Sequence, residues 1–333
     1  MIEFSFLFLI NLFFIFFFSS IERILNCYDH PVARRKIHKK KIANFGGFLI
    51  ILNIIILYVF LYKNNEISNQ DFFFITGSII FFLLGYLDDK QDINAYLKFF
   101  FQIIFILLLV FFNNDLLINH IYISFLNKKI LLGQFSIFFT ILCYLLFINA
   151  FNMLDGINLS AAIYSLLLLV FLYLQKNNII FIVLITSLIF FLIKNYQNKL
   201  FLGNNGSTLL GFILSYFLID LNRTKFISVE EIFLVMIIPG LDMLRLYIQR
   251  VNNKKNPFKA DLDHLHHILL KKFNYNKAII YLSLILFTPF FLNYFFNDSK
   301  KIYLIIFIIF SYYSLIFYLL KKISQEKKLM RKI

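Results

Sequence analysis

Apolar runs long enough to cross a bilayer recur along the whole chain and leave little else from which a fold could be built. A spanning helix needs about 20 largely apolar residues. Eleven stretches approach that length: residues 4–22, 45–62, 72–87, 96–113, 135–151, 159–175, 178–194, 205–221, 230–249, 278–296 and 302–320. The chain is 60% hydrophobic and only 15% charged, against roughly 45–50% and about 25% in soluble domains. So much apolar surface cannot be hidden from water. In hydrocarbon, runs of this length must satisfy their own backbone groups, which selects helices. The expected fold is an all-α polytopic membrane protein with about eleven transmembrane helices, one integral membrane domain over residues 1–333. The first run, Phe4 to Phe18, lacks a basic leader and a small-residue cleavage site, and reads as a retained helix.

Eleven spans put the termini on opposite sides, and the charges choose between them. The connections 23–44, 88–98, 150–158, 194–204, 250–277 and the tail 321–333 carry 24 Lys and Arg; the alternate connections carry 8. The positive-inside rule assigns the first set to the cytoplasm, which puts the N-terminus outside and the C-terminus inside. The net charge of +15 is spread over these short connections with no recognition module, which argues against nucleic acid and for anionic, phosphate-bearing partners. Cys27 and Cys143 lie far apart, without metal-ligand spacing. On the outer side, alternating apolar residues around Asn127-Lys128-Lys129 predict a small periplasmic β-hairpin within 119–134. Pro239-Gly240 is expected to kink or break the ninth span.

The dense polar clusters fall on the cytoplasmic set. Asp29-His30-Pro31-Val32-Ala33-Arg34-Arg35-Lys36-Ile37-His38, then Lys39 to Lys41 and Gly46-Gly47, joins loop cations suited to phosphate with glycines that admit close backbone approach. Lys39 to Lys41 read equally well as an anchor on anionic lipid. Asp88, Asp89 and Asp92 end the third span, where carboxylates are costly. Carboxylates there suit Mg²⁺ or a partner lysine such as Lys98; a solvated helix end is the plainer alternative. Asn149, Asn152 and Asp155, three apart, line one stripe of a helix end next to Asn158; a polar capping turn is the plainer alternative. Gly203-Asn204-Asn205-Gly206-Ser207 opens the eighth span and offers backbone N–H groups to an anion, though an ordinary turn and cap would look the same. Asp242 and Arg245 precede Pro257-Phe258 and the cluster His264-Leu265-His266-His267. These histidines lack the zinc-protease arrangement and suit phosphate or sugar hydroxyls better than a metal, or else merely cap a loop.

In their order these motifs resemble the polyprenyl-phosphate N-acetylhexosamine-1-phosphate transferase family, in particular its undecaprenyl-phosphate GlcNAc-1-phosphate transferase branch. The matching stretches are Asp29-His30-Pro31 with Arg35, Lys36 and His38; Leu87-Asp88-Asp89; Asn149 through Gly156; Gly206-Ser207-Thr208-Leu209-Leu210-Gly211; and Pro257-Phe258 with the histidines. The resemblance implies a cytoplasmic active-site cleft, a UDP-sugar donor, a polyprenyl phosphate acceptor, Mg²⁺ (with Mn²⁺ as a substitute) and release of UMP. It implies that Asp88, Asp89, Asp155 and His264 are catalytic. Arg35, Lys36, His38, Lys98, Asn149, Asn152, Asn158, Gly206, Ser207, His266 and His267 would bind substrate, with Asn204 and Asn152 as candidate metal ligands. A homodimer is compatible with all of this.

Two departures qualify the match. The family pattern Asp-Gly-x-Asp-Gly is here Asp155-Gly156-Ile157-Asn158-Leu159, and Gly-Asp-x-Gly-Ser is here Gly203-Asn204-Asn205-Gly206-Ser207. A metal site containing Asn204 loses one negative charge. A basic residue usual before the histidines is Leu262 here. Two rival readings follow: a catalytically weakened relative that binds or scaffolds a lipid-linked sugar, and a transporter of one.

Overall fold

In the computed structural model, residues 2–31, 41–256 and 262–330 are described; Arg35, Lys36 and His38 lie outside them. The described chain is almost entirely helical, and it divides into two compact units, residues 1–121 with 131–227, and residues 122–130 with 228–333.

The first unit opens with α1 (Ile2–Phe16) and α2 (Phe18–Leu25), bent 78° from each other. A two-residue ribbon follows, β1 (Tyr28–Asp29) antiparallel to β2 (Ile42–Ala43). Helices α3 (Gly46–Lys63), α4 (Asn69–Gln91) and α5 (Ala95–Phe112) lead to the expected hairpin, β3 (His120–Ile123) paired with β4 (Lys128–Leu131). Helices α6 (Ser136–Leu154), α7 (Ser160–Gln175), α8 (Ile179–Tyr196) and α9 (Gly203–Arg223) complete the unit. The second unit holds the hairpin tip, α10 (Val229–Asn252), α11 (Leu265–Lys272), α12 (Tyr275–Asn293) and α13 (Lys301–Met330).

Each of the eleven apolar runs coincides with helix. Among the described residues seven helices are long and apolar enough to cross a membrane, eight if α1 and α2 form one span. Helix α7 is a 16-residue apolar helix, and α9 and α10 fall outside the seven. The chain is a multi-pass membrane protein. Phe310 and Phe317 stand 73% and 71% exposed, a surface tolerable in lipid and an aggregation hazard in water. Helix α10 runs as one element through Pro239, so the expected break does not occur.

Helix α9 is the core of the first unit. It is buried from Asn205 to Ile219 and packs against α3, α4, α6 and α7. Phe81 of α4 stacks on Phe212 of α9 with ring centroids 4.7 Å apart. Between α1 and α3, Asn11 and Asn53, both fully buried, exchange amide hydrogen bonds of 2.7 and 3.1 Å, the polar contact that holds helices together where lipid and side chain are equally apolar. At the end of α4 that carries Asp88 and Asp89, α4 and α9 nearly touch. A Cβ on Gly85 would lie 2.2 Å from the Asn204 carbonyl oxygen.

Leu159, where the family pattern has glycine, sits in the left-handed region at φ +73°. The Asn195 Oδ1 holds it there by accepting the Leu159 N–H at 2.8 Å. A branched aliphatic side chain is unfavourable in that conformation by about 1–2 kcal/mol.

Two outcomes follow for thermal unfolding of the detergent-solubilised protein. Gly85→Ala should lose stability by about 1–3 kcal/mol, as overpacking does, whereas Gly240→Ala, with nothing within 4 Å of its added Cβ, should stay within about 1 kcal/mol of the parent. At position 159 the Leu159→Gly variant should melt above Leu159→Ala by the equivalent of about 1 kcal/mol, the reverse of the order at helical positions; an Ala variant at least as stable would place Leu159 outside the left-handed region.

Candidate active site

The polar centre of the first unit forms where α4 ends against the beginning of α9. Gly203 starts α9 at φ +73°, and a Cβ there would collide with Asn44, Asn205 and Asp89. The first turn of a helix leaves N–H groups without intrahelical partners. Here the protein supplies the anion itself: the Asp89 carboxylate accepts the N–H groups of Asn204 and Asn205, each at 2.9 Å. It also accepts the amides of Asn205 at 2.6 Å and Asn44 at 3.1 Å. Sequence reasoning offered these N–H groups to a substrate anion; the fold gives two of them to Asp89. Asn205 further accepts the Gly47 N–H at 2.9 Å and donates to the Asn44 carbonyl at 2.9 Å. Gly206 lies against Leu202 and the Gly47 nitrogen.

Asp88, adjacent in sequence, points to a different partner. Its carboxylate pairs with Lys98 Nζ at 2.7 Å and accepts the Ile93 N–H at 3.0 Å. Lys98, in the first turn of α5, also donates to Asn204 Oδ1 at 3.1 Å. Both ends of the pair are nearly buried, 12% and 8% exposed, so removal of either would leave an unpaired charge at a cost of about 3–5 kcal/mol.

The stripe on α6 separates into three roles. Asn149 bonds Gln102 of α5 at 3.1 Å and its own helix at Leu145. Asn152 accepts the Ser207 hydroxyl of α9 at 2.6 Å. Asp155, just past the end of α6, is partly buried and accepts no side-chain hydrogen bond from any described residue. Burial, with the charge of Asp89 nearby, pushes its carboxyl up to about 7. Asn158 turns away from this stripe, donating to Asn198 Oδ1 and to the Asn195 carbonyl.

Among the described residues the charges do not balance: three carboxylates face one ammonium, and Asp155 has no counter-charge. That is the observation against which Mg²⁺ can be tested. Among the described residues no three His, Cys, Asp or Glu side chains are grouped to hold a metal. The oxygens of Asn204 and Asn152 already accept from Lys98 and Ser207. An oxygen-rich, net negative site with one open carboxylate fits Mg²⁺ that keeps water and takes further oxygens from substrate phosphates. Asp155, with Asn152 one turn before it, would hold the ion.

The second unit builds its own polar centre on Asp242 of α10. Its carboxylate lies 2.8 Å from Arg245 Nη2, 2.8 Å from the Tyr312 hydroxyl, 3.0 Å from His264 Nδ1 and 3.1 Å from the Leu265 nitrogen. His264 precedes the first residue of α11, and its ring stacks within 4° of parallel on that of His266, which in turn meets His267. His266 is buried with no described partner at Nε2; burial and the neighbouring imidazoles hold it well below the usual histidine range.

The fold therefore joins Asp88, Asp89, Lys98, Asn204 and, through Asn205, the residues Asn44 and Gly47. It joins Asn152 to Ser207, and it groups the three histidines with Asp242. Asn149 and Asn158 make structural contacts instead. Sequence reasoning missed Asn44, Asn205, Gln102 and the hub role of Asp242. Asn205 lay inside a recognised motif and could have been found; Asn44 and Gln102 carry no local signal.

Comparison with known proteins follows the same ground. The sequence model described as glycosyl transferase family 4 matches residues 72–222, the stretch from α4 through α9. The undecaprenyl-phosphate alpha-N-acetylglucosaminyl 1-phosphate transferase of Escherichia coli (strain K12) is 25% identical over 294 residues, 84% of this chain and 78% of that protein. A Bacillus subtilis (strain 168) protein, named a probable undecaprenyl-phosphate N-acetylglucosaminyl 1-phosphate transferase, is 28% identical over 255 residues, 73% and 69% of the two chains. The Yersinia pestis undecaprenyl-phosphate alpha-N-acetylglucosaminyl 1-phosphate transferase is 24% identical over 297 residues, 85% and 80%. The family match thus covers the stretch that holds Asp88, Asp89 and Asp155, and along most of its length the chain is similar to these relatives.

Proposed function

We propose that this protein transfers an N-acetylhexosamine-1-phosphate from a UDP-sugar to a polyprenyl phosphate of the undecaprenyl type, releasing UMP. The product would begin a cell-envelope glycan at the cytoplasmic face of a bacterial inner membrane. One observation carries the reading: a membrane-edge cluster in which Asp89 is locked into the scaffold, Asp88 is paired with Lys98, and Asp155 is left open. Donor and acceptor classes come from the names of the relatives.

In the proposed reaction an oxygen of the lipid phosphate attacks the sugar-linked phosphorus. The bond from that phosphorus to the bridging oxygen breaks, and UMP departs with the electron pair. A new phosphoanhydride then joins lipid and sugar phosphates. Both reactants are anions, so positioning and charge neutralisation dominate. The acceptor phosphate has a second pKa near 6 and is mostly ionised at pH 7 without a general base. Lys98 supplies fixed positive charge, and Arg35, Lys36 and His38 are proposed to add more from the basic loop. His264, His266 and His267 are proposed to contact the diphosphate, with Asn152 and Ser207 on the nucleotide side. Bound Mg²⁺ would neutralise the phosphates against Asp155.

Purified protein with UDP-N-acetylhexosamines, radiolabelled in the sugar, undecaprenyl phosphate and Mg²⁺ should form labelled lipid and UMP. A panel of UDP-sugars that yields neither would remove the enzyme reading and leave a binding or transport role. Asp155 sets the pH dependence. Its folded pKa lies above the ordinary carboxylate value, so it is protonated below about 7 and ionised above. Activity should fall as pH drops through 7, and Asp155→Asn should lower turnover by at least about 100-fold and abolish that limb. The same shift means the folded state is weakened as pH rises from 4 to 7, so Asp155→Asn should melt higher than the parent at pH 8 without Mg²⁺ and equally at pH 4. A parent-like pH profile in the variant would exclude Asp155 from the reaction.

A further inference from the structure

We infer that Asp242 is a positioning residue that fixes the ring orientation and tautomer of His264, so that His264 offers its Nε2 lone pair to a hydrogen-bond donor of the substrate, such as a sugar hydroxyl. The inference rests on the proposed transferase reading for the role of His264, but its geometric part stands on the second unit alone.

His264 occupies the N-cap position of α11, yet its side chain makes no capping bond to its own helix. The cap comes from another helix: the Asp242 carboxylate accepts the Leu265 N–H at 3.1 Å. The same carboxylate meets His264 Nδ1 at 3.0 Å through its other oxygen. An ionised carboxylate can only accept, so Nδ1 carries the hydrogen. One turn along α10, Arg245 donates to Asp242 at 2.8 Å and to the Asp263 carbonyl at 2.6 Å. The residues on either side of His264 are thus pinned by a pair of side chains three apart on one helix. Tyr312 of α13 donates to Asp242 at 2.8 Å and accepts from Arg245 at 3.3 Å.

Arg245 carries the charge opposite Asp242. A neutral ring with its proton on Nδ1 has its lone pair on Nε2, and the dyad follows the general rule by which one ring nitrogen's partner decides what the other offers. The parallel ring of His266 backs His264 on one side and restricts its rotation. In the sequence, Asp242 stands 22 positions before His264 with no motif linking them. Only the tertiary contact of Asp242 with His264 and Leu265 connects the two.

The decisive substitution is Asp242→Asn, which keeps size and can still accept from Leu265 and Tyr312. Its amide N–H can donate to Nδ1, which would move the ring proton to Nε2. Side-chain ¹⁵N NMR of histidine-labelled protein, with His264→Gln used to assign the signal, should show the protonated Nδ1 form in the parent and a shift toward the Nε2–H form in Asp242→Asn. Turnover should fall about 10- to 1000-fold with KM for the UDP-sugar changed less than threefold, and Asp242→Glu should recover part of the rate. A His264 signal that keeps its tautomer in Asp242→Asn overturns the proposal, as does full turnover in that variant while His264→Gln is inactive. Should the parent show no transfer with any UDP-sugar, the transferase reading fails, yet the NMR comparison still decides whether Asp242 sets the tautomer.

Discussion

The first unit depends on one carboxylate placed at a helix start. Asp89 ends α4 and accepts four hydrogen bonds, two from the opening turn of α9 and two from asparagine amides. It thereby joins α4, α9 and the segment that leads from β2 into α3. An anion is favoured there by the unpaired N–H groups and by the positive end of the helix dipole. It costs less than an unpaired charge at a membrane edge because every acceptor direction is used. The glycines follow from this. Gly85 admits the backbone of α9 so closely that a methyl group there would overlap it, and one on Gly203 would collide with the side chains of Asn205, Asn44 and Asp89.

Once Asp89 is committed to the scaffold, the neighbouring acids divide the remaining work. Asp88 takes Lys98, and Asn204, in the position where the family pattern has an aspartate, takes the same ammonium through its carbonyl. A second carboxylate there would leave Lys98 between two acids. With asparagine the Asp88–Lys98 pair is balanced, while burial and the charge of Asp89 raise the Asp155 carboxyl. The other departure, Asn158, is absorbed by contacts to Asn198 and Asn195. Both swaps thus have local partners.

The second unit applies the same device differently. Asp242 caps α11 from outside, as Asp89 caps α9, and uses its remaining capacity on a histidine. Elsewhere in that unit Glu231 closes a capping box at the start of α10 and binds Lys301 at 2.9 Å and Asn293 at 3.1 Å. Buried charge here always meets a helix end or an opposite charge, as expected where water is scarce.

The helices, the hairpin and the chemical identity of the clusters were legible in the sequence, because hydrophobic length and polar spacing are local properties. Asp88, Asp89, Asp155 and the histidines stood out for the same reason: such residues at membrane edges are costly and few. The partition among them was not legible. Nothing in Leu87-Asp88-Asp89 says that one aspartate takes a lysine ten residues on while its neighbour takes backbone from α9. Helical position turns the two carboxylates about 100° apart, and only the packing of α4, α5 and α9 decides what each then meets. Asn44, Gln102 and Asp242 were hidden for that reason, as was the unbroken passage of α10 through Pro239. Composition alone determined the solvent of this protein and its reliance on helices; the assignment of each polar group to scaffold, charge balance or open site was made by tertiary contacts between residues up to 161 positions apart.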